Sequence, residues 1–323
     1  MAVLGAAAGG GGAISNFPIT FAASTTWACP AVMEAYIFVI GGGGSGSAAA
    51  YKADGRCQGG TAGGCAVSKV TLAAQDYVIV IGPGGNPTAA LHSGAVVAGA
   101  VGSPSTFTDA AASLIATMTG GGGLGGTAHA TDDLSAVAGG TASGGTIMNN
   151  AGGGVPAVTV DESITSGGAV GLWEAGRIGE TSYGANIARE SLPQGNDGQG
   201  LTGSPGGNWG SESSWFIPPL NVSMTLAVTS NTSGGRDREY VPAGAKSVGQ
   251  SAYSVSTTNL YWLYPSPLSG GTGGTGNYTY VSVGGATLGA GGGGVLSRRA
   301  TSSVMSGAGG HGGVIIIPIS LGS

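Results

Sequence analysis

Charge is the scarcest commodity in this sequence. Only 8% of the 323 residues are Asp, Glu, Lys or Arg, against about 25% in an ordinary soluble domain. Ten Lys/Arg face fifteen Asp/Glu, for a net charge of -5. Such a surface has no basic footprint for a phosphate backbone, so nucleic acid is excluded as a partner. The basic clusters at Arg236, Arg238, Arg298 and Arg299 read as loop charges. Charge-driven disorder is excluded as well, because 41% of the residues are hydrophobic. Cysteine is nearly absent. Cys29, Cys57 and Cys65 are the only three, and an odd count is no disulfide framework. Cys57 and Cys65 flank a glycine-rich loop; free thiols are the preferred reading, and a bridge between these two stays open. No histidine stands at ligand spacing from them, so no metal site is expected. Long apolar runs are missing too. No stretch of about 18 apolar residues is free of glycine or polar breaks, and no membrane insertion is expected. The opening residues lack a basic n-region, so no secretory signal is expected.

Catalytic constellations are also lacking. Asp132 and Asp133, like Asp161 and Glu162, are chain neighbours. A glycosidase instead needs two carboxyls facing each other about 5–10 Å apart. These acids read as solvated loop charges. His92, His129 and His311 lie among Gly, Ala and Ser, with no nucleophile beside them. His311 reads as the cap of a glycine turn. Matches to the dinucleotide-binding glycine pattern arise by chance at this composition, and none joins a strand to a helix. The expectation is therefore no enzyme and no cofactor.

What the chain has is glycine: 69 of 323 residues, roughly three times the usual ~7%. Collagen is excluded because glycine has no three-residue period along the chain. Each glycine costs about 0.5–1 kcal/mol more than alanine to order. Dozens of them outweigh a typical net stability of ~5–15 kcal/mol. A folded chain must recover that cost from something only glycine permits. Close lateral packing of bare backbone is the obvious candidate. Extended left-handed three-fold helices point N–H and C=O groups sideways, so neighbours lacking Cβ can exchange hydrogen bonds.

Glycine runs alternate with short apolar segments that read as strands. Residues 36–40, Tyr-Ile-Phe-Val-Ile, enter the run 41–44. Residues 77–81, Tyr-Val-Ile-Val-Ile, enter Gly-Pro-Gly-Gly at 82–85. Residues 314–319, Val-Ile-Ile-Ile-Pro-Ile, follow Gly-Gly-His-Gly-Gly. Weaker strand candidates lie at 67–72, 222–229, 255–263 and 278–283. The fold expected is mainly β with irregular structure: short strands plus packed polyglycine-II-type left-handed helices, long exposed loops and little α-helix.

These residues carry a family resemblance. Pro30-Ala-Val-Met-Glu-Ala, the strand 36–40 and the run 41–44 resemble the opening of the glycine-rich domains of bacteriophage tail fibres and distal tail adhesins. The strand pair 67–72 and 77–81, the Gly-Pro-Gly-Gly turn, Ser-Thr-Phe at 105–107 and the run 120–123 continue it. Gly309-Gly-His-Gly-Gly-Val-Ile-Ile-Ile-Pro resembles the closing strand. The likeness covers about residues 28–154 and 284–323. It implies a virion tail location, other phage tail proteins and a bacterial surface receptor as partners, and a role in host attachment. Homotrimeric assembly is implied by the resemblance alone.

Residues 155–283 depart from the pattern. Twelve of the twenty Phe, Trp and Tyr residues fall between 173 and 280, among turn formers. Loops on a rigid scaffold are where binding surfaces are built, and Trp and Tyr give contact area at low entropy cost. Trp209, Trp173, Tyr183 and Trp215 are the receptor-contact candidates; the competing reading makes these aromatics the core of an inserted subdomain. The chain divides into residues 1–30, a possible virion anchor; 31–154, the first glycine-rich part; 155–283, the aromatic insertion; and 284–323, the closing segment. The function expected is a structural and receptor-binding tail component. The alternatives are a purely structural virion part and, less favoured, a polysaccharide depolymerase.

Overall fold

A computed structural model describes residues 19–50, 55–91, 94–109, 115–129, 132–159, 288–297 and 304–321, with short pieces between 163 and 182 and at 213–217, 222–226 and 274–276. Among the described residues the chain is mainly β with irregular structure, and no helix occurs. The expected strands at 36–40, 67–72, 77–81 and 314–319 are all present, and 222–226 realises part of a fifth. Those at 255–263 and 278–283 lie outside the described residues.

Ten strands build two five-stranded sheets. In chain order they are β1 (Ile19–Phe21), β2 (Thr25–Ala28), β3 (Met33–Ile40), β4 (Cys65–Leu72), β5 (Asp76–Val80), β6 (Ser105–Asp109), β7 (Met118–Gly120), β8 (Ala142–Ser143), β9 (Met148–Asn150) and β10 (Gly313–Leu321). One sheet has the order β1-β10-β3-β4-β9 and the other β8-β7-β6-β5-β2. Alternation sets the faces. Met33, Ala35, Ile37 and Val39 of β3 point toward the second sheet and meet Tyr77, Ile79, Phe107 and Met118. Tyr77 and Phe107 stack with centroids 5.3 Å apart. Phe21 and Trp27 extend this aromatic run from β1 and β2. Residues 19–28 therefore give one strand to each sheet. The opposite face of β3, with Tyr36, Phe38 and Ile40, packs with Ile315, Ile317, Val67 and Val170.

Each of the eight strands β3 to β10 continues directly into, or out of, a glycine-rich tract. The tract 41–47 shows the organising rule. Its seven successive N–H groups donate to Gly64, Ser103, Gly310, Thr61, Ala100, Gly307 and Gln58. Direction repeats every three residues: residues 41, 44 and 47 face tract 58–64, residues 42 and 45 face tract 99–103, and residues 43 and 46 face tract 307–310. As this tract advances by three, each partner retreats by three. Its carbonyls follow the same period, accepting from Gly123 and Gly126 on one side and from Gly292 and Val295 on another. Gly85 and the Thr88 hydroxyl serve the third side.

Six tracts thus surround residues 41–47, and the six are bonded to each other in a closed ring. Thr61 N–H meets Leu124 O, Gly102 N–H meets Gly123 O and Ser103 N–H meets Pro83 O. Gly309 N–H meets Gly85 O, Gly310 N–H meets Ala290 O and Gly60 N–H meets Gly292 O. Tract 58–64 has further neighbours of its own in Gly140, Gly153 and Gly168. Strand register runs into this lattice unbroken: Ile40 pairs with Cys65 and Gly313, and the next bonds along are Gly41 to Gly64 and Gly43 to Gly310.

Glycine is required here by space rather than torsion. Among the described glycines only Gly94, Gly144 and Gly289 have positive φ. A Cβ on Gly41 would lie 2.5 Å from the Gly121 carbonyl carbon, and one on Gly43 would lie 2.5 Å from that of Ala290. Side chains survive where the three-fold chain turns outward. In tract 98–104 the exposed residues are Ala98, Val101 and Pro104; in tract 83–89 they include Pro83, Asn86 and Ala89.

Candidate functional site

The registers give the molecule two poles. Strands β1, β3 and β5 run toward the lattice, and β4, β6 and β10 run away from it. Leu321, opposite Met33, therefore lies at the sheet pole, and Ile19, opposite Ile316, lies partway along the sheet. At the other pole, the connection pole, the outer ends of the tracts among the described residues lie at 48–50 and 55–57, 89–91 and 94–98, 128–129 and 132–138, 156–159 and 163–165, and 296–297 and 304–305. Gly168 and Val170 meet residues 288–291 at the junction of sheet and lattice. Gly291 N–H bonds Gly168 O there, and Val170 and Leu288 pack into the cluster around Phe38. The described residues between 176 and 182 run back toward the connection pole: Gly176 N–H bonds Ala151 O, Gly179 N–H bonds Gly154 O, and Thr181 and Ser182 pair with Thr165 and Ile164. Gly289, at φ +73°, turns against Ile40 at the same junction.

Three of the four aromatic candidates, Trp173, Tyr183 and Trp209, lie outside the described residues. Trp215 sits on the strand Ser213–Ile217, opposite Met224 in a hairpin with Val222–Leu226. The described residues do not bring the four together.

The best-defined polar cluster at the connection pole starts from residues 56–58. Arg56 Nη1 lies 2.8 Å from Asp133 Oδ1, with the arginine side chain buried and the aspartate exposed. His129, directly opposite Arg56 across a strand pair, places Nε2 3.4 Å from Asp132 Oδ2. The backbone N–H of Asp132 donates to His129 Nδ1. The acids at 132 and 133 are exposed loop residues, as expected, and each in addition meets a basic side chain: Arg56 for Asp133 and the preceding His129 for Asp132. Gln58 is fully buried. Its Nε2 donates to Ser135 O at 2.8 Å and to Pro156 O at 2.7 Å, and its Oε1 accepts from the Thr127 hydroxyl. Two backbone rungs, Leu134 with Val158 and Val137 with Val155, lock these segments to each other.

The polar groups described at this pole bond to one another and to backbone carbonyls. No cluster of three or more His, Cys, Asp or Glu residues that could hold a metal occurs among the described residues. All three thiols are free and buried. Burial pushes Cys57 up to about 12 and outweighs a hydrogen bond with Ser47. Burial likewise raises Cys65, and it raises Cys29 against a bond to Ala31 O. The open question of a Cys57–Cys65 bridge is settled by the tract between them. Residues 58–64 are extended, not looped, so at about 3.1 Å per residue the two cysteines stand roughly 25 Å apart. A disulfide needs Cα atoms within about 7 Å. His311 stands in an extended tract rather than a turn, and its Nδ1 accepts from Gly84 N–H of the neighbouring tract at 3.4 Å. Among the described residues no helix is long and apolar enough to cross a membrane.

Sequence reasoning missed Gln58. A lone glutamine in Cys-Gln-Gly-Gly carries no motif, and only its contacts 77 and 98 residues away mark it. A glycine-rich domain family model matches residues 19–317, nearly the whole chain, and the chain belongs to that family. No curated protein matches it.

Proposed function

We propose that this glycine-rich-domain protein is a component of a bacteriophage tail, a fibre or fibre-tip protein, that displays receptor-binding loops without catalysing a reaction. The polarity of the fold is the observation that carries the reading. A backbone lattice with a complete ring of six tracts ends in polar chain connections at one pole, and the two sheets stand at the other, with Leu321 opposite Met33 at their far end. In this reading the tracts are left-handed polyglycine-type helices, and the three-residue period of their hydrogen bonds supports that. A stiff block lowers the entropy cost of binding by fixing its loops beforehand, and several copies on one particle add avidity. Trp209, Trp173, Tyr183 and Trp215 are the aromatic contacts proposed from the insertion, and the partners are other tail proteins and a bacterial surface structure.

The test is saturable binding of the labelled, purified chain to a panel of bacterial strains, with competition against adsorption of the parent virion. Binding that blocks adsorption supports the reading. Lack of binding to every strain the virion infects overturns it. Unchanged adsorption with Trp209→Ala and Trp173→Ala overturns the aromatic assignment alone. A second reading, a purely structural virion part, is favoured by the exposed apolar pair Val101 and Leu124 on the lattice flank. It expects assembly with another virion protein and no cell binding.

A further inference from the structure

We infer that Gln58 is a positioning residue that holds two parts of the pole, residues 127–129 with 132–137 and residues 155–159, as one preformed recognition face for a hydroxyl-rich glycan. This rests on the display reading above. Near the sheets, backbone bonds tie both partners to tract 58–64: Gly140 N–H donates to Ala62 O, and Ala62 N–H donates to Gly153 O. Farther out, tracts 134–140 and 152–158 bond to each other at residues 137 with 155 and 134 with 158. There the tie to residue 58 is made by a side chain. The Gln58 amide reaches one carbonyl on each partner, Ser135 O and Pro156 O, and takes the Thr127 hydroxyl on its oxygen.

Only a side-chain amide satisfies this arrangement. Two donors must meet two carbonyls while an acceptor meets a hydroxyl, and the group is fully buried. Glutamate would set an acceptor against carbonyls, and lysine would lack the acceptor. Ser47 reinforces the clamp: its one hydroxyl proton is shared between Gln58 O and Thr127 O, and its oxygen accepts from Gln58 N–H. Arg56 ties Asp133 from the same strand.

The face so held is polar. Leu134, Val155 and Val158 turn inward and are buried. Thr127, His129, Asp132, Asp133, Ser135 and Thr159 are exposed. Carboxylates and hydroxyls fixed on a rigid frame suit a ligand rich in hydroxyl donors. They offer little to an apolar protein surface, whose hot spots are aromatic and fully desolvated.

The experiment pairs amide exchange with cell binding for Gln58→Met, a change of similar volume that removes all three side-chain bonds. Lattice amides of residues 41–47 should keep their protection. Amides of Leu134, Val137, Val155 and Val158 should exchange at least tenfold faster, and affinity for a strain that the wild type binds should fall about tenfold. Periodate oxidation of the cells should abolish wild-type binding, and protease treatment should leave it intact. Unchanged exchange at those four amides refutes the clamp. Faster exchange with unchanged binding refutes the recognition role. Loss of binding on protease treatment alone refutes the glycan. If the wild type binds no strain, the display reading and the recognition role fall together, while the exchange data still decide the clamp. Where Gln58→Met fails to fold, Thr127→Val and Asp133→Asn, both at exposed positions, carry the same measurements.

Discussion

At the scale of single residues, glycine in this chain is a statement about distance. The 2.5 Å gap between a Cβ on Gly43 and the Ala290 carbonyl carbon is shorter than real Cβ contacts. The obstacle is backbone held by its own hydrogen bonds, so it cannot move aside. Gly43→Ala should cost at least about 3 kcal/mol, at the upper end of overpacking penalties, read as a lowered urea midpoint. Val101→Ala, at 60% exposure on an outward position, should change stability by less than about 0.5 kcal/mol. Equal effects of the two would refute the packing argument. Burial also governs the thiols. Cys57 rises from 9.0 to about 12, so the folded state holds its proton where the unfolded chain releases it. The contribution is fully present below pH 9, declines as pH rises through the interval, and levels off above about 12. Cys57→Ala should therefore lose less stability than the wild type between pH 8 and pH 10, once both are referenced to their own pH 8 values. Native protein should react with a thiol reagent only at its global opening rate. The glycine abundance was visible in the sequence; which atom each glycine makes room for was not, because those neighbours lie up to hundreds of residues away.

At the scale of elements, strands and tracts are one continuous object. Short continuous runs of β-branched and aromatic residues, punctuated by glycine, made β3, β5 and β10 legible in the sequence. The tracts repeat every three residues, a period that searches for helix or strand do not test. Outward residues such as Ala98, Val101 and Pro104 keep it, but each tract is too short and too irregularly spaced from the next to read as a repeat. The short strands β1 and β2 also escaped notice, because Phe21 and Trp27 read as part of a separate N-terminal segment. Hydroxyls within the tracts have a definite job: they accept N–H groups that meet no carbonyl. Ser105 accepts from Gly82 N–H at 2.9 Å, Thr61 from Leu124 N–H at 2.8 Å and Thr165 from Gly59 N–H at 2.8 Å. Ser105 is fully buried, and Ser105→Ala would strand the Gly82 N–H at the junction of sheet and lattice. The expected loss is about 1–3 kcal/mol, measured by chemical denaturation. A loss no larger than for an exposed Ser→Ala change would show that this bond is dispensable.

At the scale of the whole molecule, sheets and lattice should unfold as one cooperative unit. The register of β3 with β4 and β10 passes into the lattice without a shift up to Gly46 and Ser47. Separating the two parts would break hydrogen bonds on every side of residues 41–47 while leaving their backbone buried. An isolated lattice would keep only small apolar clusters, such as those around Val295 and Leu296, and isolated sheets would expose the ends of eight strands. Amides of Gly42 to Ser47 should accordingly exchange only through global opening, with the same free energy as amides of Ile37 and Val39 in β3. Flexible linkers of the same composition would exchange at rates near those of an unstructured chain. Tract amides that exchange many orders of magnitude faster than the β3 amides in the intact protein would leave the connection pole without a fixed frame. Protection equal to that of β3 would mean that loops at one pole and strands at the other are held by a single transition, as a display device requires.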